Sequence, residues 1–186
     1  MDKLHEVAMM YAKLFNKDFF YTLETGHNIH VYFEPGSFHH VSGLHKLSDI
    51  PLVTKGARNT AAFIFHNILK GNISLTDIQK SRYFNEIEPR LRHFGQINRL
   101  IEYEKIIIDF DHTIPVSSKL EKADYVLFKR SNDNMYLNLF LMKKENKQIP
   151  LTFLPEPTDY YTRGQKTIRI LSMTEMPRVT KSSSTK

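Results

Sequence analysis

Apolar residues recur along this chain with two different periods, and the change between them divides it. From Leu4 to Phe15 the spacing is helical: Leu4, Val7, Ala8, Tyr11, Leu14 and Phe15 share one face. Asp2 near its start and Lys17 near its end suit the helix dipole. Phe20 to Leu23 and Ile29 to Phe33 read as strands joined by the turn-prone Thr25-Gly26-His27-Asn28, a hairpin. After the turn Glu34-Pro35-Gly36-Ser37, the residues Phe38, Val41, Leu44 and Leu47 recur every third position and predict a short helix with that side buried. His40 and Ser42 then tend outward, with His39 and His45 at the edges of the buried stripe. Gly43 weakens this helix and predicts an opening there. Pro51 and Gly56 bound a loop. Asn59 is the expected cap of a helix whose apolar side is Ala62, Phe65, Ile68 and Leu69 and which Gly71 ends. Ser74 and Asp77 have capping-box spacing. Phe84, Ile87, Leu91, Phe94 and Ile101 carry the helical period onward, and Pro89 predicts a break or kink near Glu88.

From Lys105 the period becomes two, or the run is solidly apolar. Ile106 to Phe110, Tyr125 to Lys129, Met135 to Met142, Ile149 to Leu154 and Thr167 to Met173 read as strands. Their close spacing, with no helical crossover, predicts antiparallel pairing. The fold class expected is therefore α+β: N-terminal and central helices packed on one face of a C-terminal antiparallel sheet. Leu137, Leu139, Leu141, Ile149, Leu151, Phe153, Ile168 and Ile170 should form the buried face. Tyr136, Asn138, Phe140, Thr152, Thr167 and Arg169 alternate with them, a mixed polar and aromatic face suited to RNA or simply to water. The expected organisation is a single domain over 1–177 and a disordered Ser/Thr/Lys-rich basic tail over 178–186.

Composition narrows the chemistry. The 186 residues carry a net charge of +6 and 9 His but no Cys, so thiol nucleophiles, disulfides and Cys-based zinc sites are excluded. The basic balance favours an anionic partner such as nucleic acid. Asp2 to Phe15 is polar and amphipathic, unlike a signal peptide, and no apolar run is long enough for a membrane span, so a cytoplasmic protein is the default expectation. The pair His27 and His30, three apart on a hairpin, would point to opposite faces of a regular strand. His40 and His45, five apart, do not align on a helix. No metal or cofactor is therefore expected.

The run Phe38-His39-His40-Val41-Ser42-Gly43-Leu44-His45-Lys46-Leu47 follows an extended hairpin. In this it resembles the signature of the phage-associated Barnase–EndoU–colicin–RelE-like nuclease domains, which come from phages and mobile elements. Tyr136-Leu137-Asn138-Leu139-Phe140-Leu141 and Ile149-Pro150-Leu151-Thr152-Phe153-Leu154 resemble the family's C-terminal strands. The resemblance spans roughly Phe20 to Ile170. It implies a metal-independent ribonuclease fold with helices in front of an antiparallel sheet.

Such ribonucleases use the substrate's own 2′-hydroxyl as nucleophile. They need a base for that hydroxyl, a cation for the phosphate and an acid for the 5′-oxygen. His39, His40 and His45 offer proton transfer near neutral pH, and Thr152 and Tyr136 are expected to face them from the sheet. Lys46, Arg163, Lys166 and Arg169 are the candidate RNA contacts, although Arg163 and Lys166 also read as ordinary loop charges. The expected activity is a toxin-like endoribonuclease acting on RNA, with an antitoxin or immunity protein as a further partner. A non-catalytic nucleic-acid or protein-binding module on the same fold is the second class. A third comes from Ile106-Ile107-Ile108-Asp109-Phe110-Asp111-His112-Thr113, which resembles the first motif of haloacid-dehalogenase-like phosphatases, with Asp109 as nucleophile and magnesium required. That family needs a downstream Lys and acidic pair after further parallel strands, and the chain beyond Thr113 reads as short antiparallel ones.

Overall fold

The structure is a computed structural model that describes residues 2–57, 59–103, 105–115 and 118–178. Helix α1, Lys3–Ala12, opens on Asp2, whose carboxylate accepts the His5 amide, and buries Leu4, Val7, Ala8 and Tyr11. Strands β1, Lys17–Leu23, and β2, Asn28–Tyr32, form the expected hairpin. The predicted opening at Gly43 is present: α2, Phe38–Val41, stops short of it, and a 3-10 turn over Leu44–Lys46 follows. Helices α3, Ala61–Leu69, and α4, Leu75–Ile78, come next. The break at Pro89 also forms, since α5, Glu88–His93, starts with that proline in its first turn, where a missing amide costs nothing. Helix α6, Ile97–Tyr103, completes the helical half.

Strands β3 (Ile106–Asp109), β4 (Tyr125–Arg130), β5 (Tyr136–Lys144), β6 (Lys147–Glu156) and β7 (Lys166–Pro177) follow. The expected open C-terminal sheet is corrected here. The strands close in the order β1-β2-β6-β5-β4-β3-β7, a seven-stranded barrel that includes the N-terminal hairpin. The cause is the length of β7. Its first residues pair with β3, Lys166 opposite Asp109, and its remainder pairs with β1 as far as Pro177 opposite Lys17. One parallel contact, Val31 opposite Gln148, joins β2 to β6, and every other pairing is antiparallel.

One strand face meets the helices in a single core that includes Phe19, Tyr21, Val31, Leu137, Leu139, Leu141, Phe153 and Ile168. At its centre Tyr11 packs against Phe38 at 5.3 Å and Phe33 at 5.5 Å between ring centroids, and Phe38 lies 4.9 Å from Phe65. These contacts pin α2 from below. The opposite face is not an open polar surface. Ile108, Val126 and Phe140 form a second, smaller core with Phe110 and Ala123, packed by Leu120 and Tyr161 from the segments 110–124 and 155–165.

Three local expectations change. Leu151 and Ile149 leave the main face, because β6 bulges there: Phe140 stands opposite Thr152 but Leu141 stands opposite Pro150, so Leu151 is the extra residue and Ile149, opposite Met142, falls on the other side. Ser42 is buried rather than outward, its hydroxyl donating to the Phe38 carbonyl at 2.7 Å. Thr60 rather than Asn59 caps α3, while the Asn59 amide donates to the Pro51, Leu52 and Thr54 carbonyls and ties the preceding loop. The capping box of Ser74 and Asp77 forms as read. The tail reading, 178–186, lies outside the described residues except for Arg178. That guanidinium donates to Asp18 and to the Phe33 and Lys17 carbonyls, so the end of β7 is held to the hairpin.

The two faces give a paired prediction. Leu139→Ala empties a fully buried site and should lower unfolding free energy by about 2–5 kcal/mol. Leu151→Ala, at the half-buried bulge, should cost clearly less. Denaturant titration of both variants checks it, and equal losses would put Leu151 back in the main core.

Candidate active site

The cleft forms where α2, α5 and β6 meet. Phe38 and Val41 face the core, which sends the imidazole of His40 to the other side of α2. The chain then reverses at Gly43, with φ +86°, and brings His45 back beside it, the ring centroids 4.5 Å apart. Strand β6 supplies Thr152, directed away from Phe153 as alternation requires. The bulge adds Leu151 to the same side. The resulting cleft, about 460 Å³, is lined by His40, His45, Lys46, Arg90, Thr152 and Glu156. Glu86, Lys119, Leu120, Leu154 and Tyr161 complete its walls.

Arg90 is the residue that sequence reading missed. It is only 7% exposed, and one guanidinium nitrogen, Nη1, donates to Thr152 Oγ1 at 3.0 Å and to the His40 carbonyl at 3.2 Å. No carboxylate among the described residues lies within ion-pair distance of it. Burial lowers its pKa to about 10, against the opposing pull of Glu156, Tyr161 and Glu86. A signal was present: Arg90 sits three residues after Ile87 and four before Phe94, inside the apolar stripe of its helix. A guanidinium in that position must either be neutralised or face a cavity. Gly43 makes room for it. A Cβ there would stand 2.8 Å from Ile87 Cγ2 and 2.9 Å from Arg90 Cδ.

The imidazoles are kept neutral. Burial, then the Lys55 ammonium, then His39 and Arg90 push His40 down to about 4. Burial, then His40 and Arg90 push His45 down to about 3. Their tautomers follow from their partners. His45 Nδ1 lies 3.4 Å from the His39 carbonyl, which can only accept, so Nε2 carries the lone pair. Lys55 donates to His40 Nε2 at 3.4 Å, so there the lone pair is engaged. Glu156 moves the other way: burial raises its pKa, partly offset by Arg90. Burial also raises Tyr161, with Glu156 and Tyr160 adding to the shift.

The structure brings His40, His45, Thr152 and Lys46 together, and it places the other candidates elsewhere. His39 is 2% exposed and donates through Nε2 to the Val53 carbonyl at 2.7 Å, which leaves Nδ1 enclosed without a partner. It holds the loop that carries Lys55 and does not line the cleft. Tyr136 stands opposite Glu156 on β5, its ring under the Arg130 guanidinium at 5.7 Å, outside the cleft. Arg163 pairs with Asp159 at 2.6 Å and Lys166 with Asp109 at 3.0 Å. Arg169 is exposed on β7, away from the cleft. Arg90, Glu156 and Tyr161 were not read as site residues. Glu156 ends β6 and Tyr161 lies in the turn before β7, positions without a periodic signature.

The phosphatase motif does not find its setting. Strand β3 pairs antiparallel with both β4 and β7, so no parallel sheet surrounds Asp109. Asp111 is used locally, accepting the Thr113 amide at 2.9 Å and hydroxyl at 2.6 Å. Among the described residues no three His, Asp or Glu side chains converge as metal ligands, and no helix is long and apolar enough to cross a membrane.

No curated protein and no solved structure matches this chain. A family model does, over residues 3–183, and its description is phage-Barnase-EndoU-ColicinE5/D-RelE like nuclease4. The match takes in the hairpin, the His-bearing turn, Arg90 and every strand of the barrel, so the whole architecture that builds the cleft falls inside it. The chain therefore belongs to this phage-type Barnase–EndoU–colicin–RelE-like nuclease family.

Proposed function

We propose that this protein is a metal-independent endoribonuclease that cleaves RNA by transesterification through the 2′-hydroxyl. The observation that carries this reading is the buried Arg90 guanidinium, with no carboxylate at bonding distance among the described residues, opening onto a cleft that holds two neutral imidazoles and the carboxyl groups of Glu86 and Glu156. A buried cation lacking a counter-ion is a site for an anion, and a bidentate guanidinium suits a phosphodiester. Lys46 and Lys119 add positive charge at the rim. In this site the usual order of proton affinities is inverted. The imidazoles fall to about 3 and 4, whereas Glu156 rises. Environments that separate two titrating groups in this way assign base and acid.

His45 Nε2 takes the proton of the 2′-hydroxyl as that oxygen bonds to phosphorus. The bond from phosphorus to the 5′-oxygen breaks, and Glu156 returns a proton to the leaving oxygen. The products are a 2′,3′-cyclic phosphate and a 5′-hydroxyl. Arg90 holds the phosphoryl oxygens as charge builds on them, and Thr152 positions Arg90. DNA lacks the nucleophile and survives. Cleavage of cellular RNA would harm the cell that makes the enzyme, so an antitoxin or immunity protein covering the Arg90 cleft, and action in the cytoplasm, belong to the same reading.

Short single-stranded RNA in EDTA is the direct test. The RNA should be cut to cyclic phosphate ends while its DNA counterpart stays intact. Arg90→Lys should lose about 10²–10³ in rate, and His45→Gln or Glu156→Gln about 10²–10⁴, with thermal melts confirming the fold. Asp109→Asn should remain fully active. A magnesium requirement together with loss in Asp109→Asn would overturn the proposal.

The pH profile supplies an independent check. A base must be unprotonated, so a depressed imidazole moves the acid limb of kcat/KM below the ordinary 6.5, to about pH 3–4. An acid must be protonated, so the raised Glu156 moves the basic limb above the ordinary 4.5. Activity should therefore persist well below pH 6.5, and an acid limb centred near 6.5 would contradict these assignments.

A further inference from the structure

Two segments wall the cleft on its loop side. The segment 110–124 brings Lys119 and Leu120, and the segment 155–165 brings Glu156 and Tyr161. Both also build a second groove, of about 540 Å³, from Ile114, Pro115, Thr158, Tyr160 and Arg163. Its apolar residues serve neither core: Ile114 is 42% and Tyr160 40% exposed. The groove is nonetheless stiff. The Arg163 guanidinium is fixed through two bonds to Asp159, at 3.2 and 2.6 Å. The Tyr160 ring stands edge-on to Tyr161 at 4.8 Å, and Tyr161 stands edge-on to Phe140 at 5.2 Å. A ladder of rings thus runs from the groove, past the reaction cleft, into the second core.

We propose that this groove binds the nucleobase adjacent to the scissile phosphate, stacked on Tyr160 and the Arg163 guanidinium, and that it selects single-stranded RNA. The inference rests on the ribonuclease reading of the neighbouring cleft. Consecutive residues supply the two sites, Tyr160 the groove and Tyr161 the cleft, so one strand of RNA can occupy both. An exposed aromatic ring and a fixed planar cation are what a base face recognises. A base held in a duplex is stacked on both sides and cannot enter. Of the groove's polar groups, Asp159 and Arg163 are engaged with each other, so discrimination among the four bases should be weak.

The test uses the full chain with Tyr160→Ala and Tyr160→Phe. Affinity is read with a non-cleavable 2′-O-methyl oligonucleotide, and kcat and KM with the matching RNA, each also carrying an abasic site beside the cut. Tyr160→Ala should weaken binding and raise KM by about 5- to 100-fold, with a much smaller effect on kcat, and Tyr160→Phe, which keeps the ring, should recover most of that loss. The abasic substrate should cost the wild type the same factor and cost Tyr160→Ala nothing further. Equal cleavage and affinity for Tyr160→Ala and wild type, or a duplex cut as well as a single strand, would overturn this inference and leave the nuclease reading intact. A wild type that neither binds nor cleaves RNA would overturn both.

Discussion

A buried cation with no carboxylate at bonding distance among the described residues governs this molecule. Taking a guanidinium out of water costs several kcal/mol, and a carboxylate at bonding distance usually offsets it. Arg90 has two oxygens instead, the Thr152 hydroxyl and the His40 carbonyl. Both are neutral, so they orient the charge, and only the more distant Glu156 and Glu86 carboxyl groups offset it. The site depends on that arrangement in both directions. Arg90 fixes the distance between β6 and the His-bearing turn, and the turn can approach Arg90 only because residue 43 has no side chain. Gly43 thus serves two ends at once. Its positive φ reverses the chain to bring His45 back to His40, and its missing Cβ leaves the space that Arg90 fills.

The electrostatics follow from the same residue. Arg90, Lys55 and the mutual proximity of the rings all oppose a proton on either imidazole. The empty cleft is therefore poised with positive charge at its base and unprotonated nitrogen at its wall. On the ribonuclease reading proposed above, a phosphodiester entering it would relieve the guanidinium, and its charge would raise the proton affinity of His45 as the 2′-hydroxyl proton needs a place to go. Binding and proton transfer are thereby coupled through one charge, which is an economical way to favour a transition state that carries more negative charge than the ground state.

Most elements were legible because they are local. Helical spacing in Leu4 to Phe15, the opening at Gly43, the break at Pro89 and the five C-terminal strands all come from periods of a few residues. Barrel closure was not legible, because it depends on β7 being long enough to serve β3 and β1 in turn, a pairing between chain ends that no short window contains. The bulge at Leu151 was hidden for a related reason: an apolar residue in an apolar strand looks in phase whichever face it takes. His40, His45, Lys46 and Thr152, singled out by residue type, line one cleft. Arg90 was not singled out, since a charge inside an apolar stripe was read past rather than questioned. His39, also singled out by residue type, is instead buried outside the cleft with its imidazole bonded to the Val53 carbonyl.

The second core explains why a site drawn from such distant segments can stay formed. His40, Arg90, Thr152 and Glu156 come from α2, α5, the middle of β6 and its end, and none of these elements is long enough to be stable alone. The helical side is set by the aromatic packing of Tyr11, Phe38 and Phe65. The loop side would be free to drift if the outer sheet face were bare. Instead Phe140 and Val126 anchor Leu120 and Tyr161, and so the residues that bound the cleft on this side are themselves packed. The sheet is thus a two-sided scaffold: one face makes the fold stable, and the other holds the cleft's outer wall at a fixed distance from Arg90.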